Sequence, residues 1–78
     1  MNVQYRVVVA KKDERIAGPD DADIVITAPI EIARLPGFDA TVEYMRGKVK
    51  AAGHAGRVLD LLKSGAATTA LAALAAEA

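Results

Sequence analysis

The sequence contains no cysteine and a single histidine, His54. The first absence excludes a disulfide framework and thiolate metal sites, and it fits a reducing compartment. The second leaves any metal to be held by carboxylates nearly alone, so no metal site and no cofactor are expected. An excess of one charge is also missing: ten acidic side chains balance ten basic ones along the chain. Such a balance sets up no polyanion-attracting field, and nucleic acid is not an expected partner. Long hydrophobic runs are missing too. The longest weakly polar run, Gly65 to Ala76, is broken by Thr68 and Thr69 and falls well short of the roughly 18 residues a membrane helix needs. The start, "MNVQYRVVVAKK", has no basic segment leading into a long apolar core, so it does not resemble a signal peptide. A soluble cytoplasmic protein with no transmembrane segment is the expectation.

What is there suits one small domain, since 78 residues lie near the lower limit for folding without a staple. "VQYRVVVA" is β-branched and aromatic, with Val3, Tyr5, Val7 and Val9 on one face of a strand and Gln4, Arg6, Val8 and Ala10 on the other. "KKDE" makes a polar turn, "RIA" a short return strand, and "GPDD" a strong break. In "ADIVIT", Ala22, Ile24 and Ile26 oppose Asp23, Val25 and Thr27 across the pleat. A short helix over Ile30 to Leu35 ends at Pro36-Gly37, and Asp39 suits the N-cap of a second helix that Gly47 stops. "KVKAA" reads as the last strand, and "HAGRVLDLLK" as a helix with Ala55, Val58, Leu59 and Leu62 at helical spacing. The alanine-rich tail has helix propensity, yet at about ten residues it needs Leu71 and Leu74 docked on something. The order predicts an α+β fold, a small and mostly antiparallel sheet covered on one face by helices.

Reactive constellations are scarce. A Ser-His-Asp arrangement would have to use Ser64, whose place beside Gly65 at a helix end is better read as a turn. "DDAD", Asp20 to Asp23, lacks the spaced oxygen ligands and closing glutamate of a calcium loop. "GKVKAAGHAG" lacks the Gly-Lys-Ser/Thr ending of a phosphate loop and comes after a helix rather than a strand. Lys48 and Lys50, with Arg46 nearby, offer a phosphate contact, although a solvated strand face with Val49 turned inward explains them more simply. No catalytic residue is assigned and no enzymatic activity is expected.

Three blocks taken together carry a resemblance: "ADIVIT" with its Asp23-to-Thr27 core, "YMRGKVK" from Tyr44 to Lys50, and "GHAGRVLDLL" from Gly53 to Leu62. In this succession the chain resembles the lipid-binding sterol carrier protein domain of the type-two family over most of Val3 to Leu62. In physical terms Gly47 lets a helix turn straight into an edge strand, and Gly53 and Gly56 let the next helix approach the sheet closely. The resemblance implies a sheet covered by helices with an apolar tunnel between the layers that takes a sterol, fatty acid or acyl-CoA. It makes Phe38, Val42, Met45, Val58, Leu59 and Leu62 candidates to line that tunnel, although the same spacing describes any packed helix.

The chain departs from the family where it begins, for the family's first helix and first, central strand are lacking. Either the strands at Val3 and Ile24 pair directly or a second copy covers the gap. An unfilled tunnel of about 300 Å³ costs roughly 7 kcal/mol, against a total stability of about 5 to 15 kcal/mol. The chain must therefore collapse the tunnel, fill it or share it. The expected organisation is an abbreviated sterol-carrier-like domain over 1–65, and then a helix over 66–78 packing on it or on a partner subunit, with dimer packing favoured over a lid. The expected function is non-enzymatic binding or carriage of an apolar small molecule or lipid by a homodimer. The alternative is a structural or regulatory dimerisation module with the cavity closed.

Overall fold

The computed structural model describes residues 2–77. Strands β1 (Val3–Ala10), β2 (Asp13–Ala17) and β3 (Ile24–Pro29) come first. Helices α1 (Ile30–Ala33) and α2 (Ala40–Met45), strand β4 (Lys50–Ala52) and helices α3 (Ala55–Lys63) and α4 (Ala66–Glu77) come next. The strands form one mixed sheet in the order β2-β1-β3-β4, an α+β architecture. β1 pairs antiparallel with β2 and β3 with β4, whereas β1 and β3 run parallel with Val3 opposite Ile24, Tyr5 opposite Ile26 and Val7 opposite Ala28. The strands at Val3 and Ile24 thus pair directly.

That register puts Val3, Tyr5, Val7, Ile24, Ile26 and Ala28 on one face, and the helices cover it. α4 lies over β1 and β2 and also touches α1, α2 and α3. Ala67 and Leu71 are fully buried, and Leu74 nearly so. The tail helix is therefore the centre of the core rather than an appendage, with its alanines and leucines packed on the chain's own sheet and helices. Thr68, one of the residues that interrupts the apolar run, accepts a hydrogen bond from the Ala40 N–H at 2.9 Å and so anchors α2. Burial raises the Tyr5 phenol above its ordinary pKa.

Two boundaries differ from the sequence reading. The first helix stops at Ala33, with Arg34 as its C-cap. The last strand begins at Lys50 rather than Lys48, because the N–H groups of Lys48 and Val49 both donate to the Glu43 carbonyl, at 2.9 and 3.2 Å. Those bonds finish α2 and leave only three residues for the ladder. Asp39 caps α2 as read, its Oδ1 accepting from the Thr41 N–H at 2.9 Å.

The connection from β2 to β3 crosses the start of β1 on the face away from the helices. A Cβ at Gly18 would collide with the Val3 carbonyl oxygen. Gln4, the one fully buried polar residue among the described residues, fastens the crossing: its Nε2 donates to the Pro19 carbonyl at 3.0 Å, and its Oε1 accepts from Arg6 Nε at 2.6 Å. Gln4→Ala removes both bonds and strands buried polar atoms, at a cost of about 1 to 3 kcal/mol. A fall of that size in unfolding free energy, read from the urea midpoint, is the expected result; an unchanged midpoint would show that the crossing loop does not need its clamp.

Candidate functional site

A hollow of about 200 Å³ lies where α3 passes over the beginnings of β1 and β3. Val3 and Ile24, the first residues of their strands and partners in register, form its floor, and Leu61 forms a wall. Arg57 and Asp60 stand at its rim, both exposed and three apart on α3. No ion pair joins these two among the described residues, although that spacing makes them neighbours on the helix surface. The hollow thus has an apolar interior and one charge of each sign at its mouth.

The wall owes its place to Gly53. Its φ is +119°, and a Cβ there would lie 2.5 Å from the Asp23 carbonyl oxygen and 3.1 Å from Ile24 Cα. Only a residue without a side chain lets the turn from β4 into α3 lie this close to β3. Gly56, read as a second point of close approach, meets nothing but the His54 ring, at 3.3 Å and beyond.

The six tunnel candidates do not converge on this hollow. Val58 and Leu62 are buried in the common core, and Phe38 packs against that core half-buried. Val42, Leu59 and Met45 point outward, with exposures of 40, 46 and 82 %. The reason lies in how the two helices are seated. α2 is short and turns Ala40 inward, while its Thr41 hydroxyl donates to the Leu62 carbonyl at 3.0 Å, tying the helix to the end of α3. α3 presents Val58, Leu61 and Leu62 to the interior, so Leu59 faces away. Sequence reading missed Val3, Ile24, Leu61, Arg57 and Asp60 as a group. Leu61 was legible as apolar, but its inward direction depends on the pitch of α3 against the sheet.

Comparison with known proteins finds no matching family model, no matching curated protein and no matching solved structure.

The remaining polar candidates fall into structural places. His54 occupies the N-cap position of α3 and Ser64 its C-cap, at opposite ends of the helix, about 15 Å apart at 1.5 Å per residue. The Ser64 hydroxyl donates to the Leu61 carbonyl at 3.2 Å and accepts from the Ala66 N–H at 3.3 Å, which shapes the turn between α3 and α4. Among the described residues no group of His, Asp and Glu is placed to hold a metal ion, and no single helix is long and apolar enough to cross a membrane.

Proposed function

We propose that this chain is a non-enzymatic binder of apolar small molecules, built on a sterol-carrier-like domain, and that the hollow under α3 is where it holds them. The observation that carries this is the apolar interior of Val3, Ile24 and Leu61 lying between sheet and helix, with charged groups only at the rim. Its size decides what part of a ligand it takes. At about 200 Å³ it is smaller than the roughly 300 Å³ at which pockets for whole drug-sized ligands begin. The end of an acyl chain or the edge of a sterol enters, and the remainder stays outside or is covered by a second subunit.

Leu61→Trp fills the hollow from its wall. Uptake of a fluorescent fatty acid should fall at least tenfold, about 1.4 kcal/mol, while the melting temperature moves little because the indole enters existing space. Equal uptake by the variant and the parent would rule the site out.

A filled core favours a second reading, the dimerisation module with its cavity closed. Ala67 and Leu71 occupy the middle of the layer between sheet and helices, and Val42, Met45 and Leu59 remain exposed for a partner. Native mass spectrometry of freshly purified protein separates the two readings. Bound lipid mass on a monomer or dimer supports carriage, and a lipid-free dimer supports the module.

A further inference from the structure

We propose that the end of the domain at which β1 and β3 finish is a docking face for an anionic lipid bilayer. Because β1 and β3 are parallel, both strands hand the chain over at the same end of the sheet. β1 delivers the Lys11-Lys12 turn, and β3 runs into α1 and then Arg34 and Leu35. β4 runs antiparallel to β3 with Lys50 opposite Thr27, so it starts at this end, and Met45, Arg46 and Lys48 lead directly into it. Lys11, Lys12, Arg34, Arg46, Lys48 and Lys50 are all exposed. Among the described residues only Arg46 of these is in an ion pair, with Glu43 at 3.5 Å. Of the nearby carboxylates, Asp13 pairs with Arg15 at 3.2 Å, Glu14 with Arg6 at 3.9 Å and Glu43 with Arg46, so Glu31 and Asp39 are the acids that no cation balances among the described residues, against the five cations Lys11, Lys12, Arg34, Lys48 and Lys50 that no acid pairs.

The cations do not stand alone. Leu35 and Met45, 50 and 82 % exposed, follow Arg34 and precede Arg46 directly in the chain, with Tyr44 at 36 % before Met45. Exposed apolar side chains at the same end as lysine and arginine match a bilayer interface, where the chains enter the acyl boundary and the cations meet anionic headgroups. At the opposite end of the sheet, the β2–β3 connection exposes Asp20, Asp21 and Asp23, which an anionic surface repels. The molecule would therefore stand on the bilayer with its acidic end outward. The hollow at Val3 and Ile24 lies at that outward end and stays in water, so docking holds independently of the apolar-ligand reading.

Sedimentation with phosphatidylcholine–phosphatidylserine vesicles, and with vesicles of phosphatidylcholine alone, tests this on the whole chain. Binding is expected to the anionic vesicles only, and to weaken as salt is raised. A Lys11→Glu/Lys48→Glu variant should lose at least about tenfold in partition, and a Leu35→Ser/Met45→Ser variant about as much. Asp20→Asn/Asp21→Asn should bind at least as well as the parent. All these positions are exposed, and an unchanged circular-dichroism melt shows that each variant is folded. No binding to either vesicle, equal binding to both, or anionic binding that the lysine reversals leave intact overturns the proposal. So does loss with the lysine variant but none with the Leu35/Met45 variant, which points to an acidic macromolecule held by charge alone.

Discussion

Leu71→Ala is expected to lower the unfolding free energy by about 3 to 5 kcal/mol, among the largest effects of any single truncation in this chain. The side chain is completely buried, at the middle of the helix that touches β1, β2 and the three other helices. Leu-to-Ala changes at sites of this kind remove the transfer free energy of the side chain and leave a cavity that the neighbours only partly close. Closure is poor here. The residues around Leu71 on its own helix are mostly alanine, which has no side chain to swing into the gap. Against a total stability of about 5 to 15 kcal/mol, that loss is a large share, so the urea midpoint of the variant should fall steeply. Urea denaturation monitored by circular dichroism measures it. Leu59→Ala supplies the comparison, because that leucine is 46 % exposed and its truncation should stay within about 0.5 kcal/mol. If the two variants lose similar amounts, α4 is not the centre of the core and the helices are seated differently.

Both leucines stand in helices that were readable as helices, and their different fates show where sequence reading stops. The strand faces were legible because alternation has a fixed period: Val3, Tyr5 and Val7 share a face, as do Ile24 and Ile26, and the sheet buries that face. The Asp39 cap was legible because it depends on two neighbouring residues. The destination of an apolar helix residue depends on which neighbour the helix meets. Val58, Leu59 and Leu62 have the same local pattern, yet α3 turns Leu59 outward and brings Leu61 in. In α4, alanine on every side gives almost no preferred face, so nothing local announces that it becomes the central helix. The hollow was beyond sequence for the same reason: it joins the first residues of two strands to a helix more than 30 positions away from either. Val3 and Ile24 meet only because β1 and β3 are parallel neighbours. That pairing joins strands with β2 between them in sequence, so it is non-local.

Gly53→Ala should cost about 2 to 4 kcal/mol and should also weaken ligand uptake, two effects with one origin. The backbone there has φ +119°, where an L side chain is strained by about 1 to 3 kcal/mol. The added methyl would meet the Asp23 carbonyl oxygen at 2.5 Å and Ile24 Cα at 3.1 Å. Those atoms belong to the start of β3 and its entry, not to a flexible side-chain end, so relief requires shifting backbone, at a further cost of about 1 kcal/mol or more. Such a shift separates α3 from β3, and the hollow between Ile24 and Leu61 is bounded by those two elements. Gly47→Ala isolates the conformational part, since Gly47 has φ +80° but no atom within 4 Å of its absent Cβ. It should cost about 1 kcal/mol and leave uptake of a fluorescent fatty acid unchanged. Thermal melts and uptake measured on both variants decide the point: equal losses of stability, or uptake that Gly53→Ala does not affect, would mean that the close approach at Gly53 does not seat α3 over the hollow.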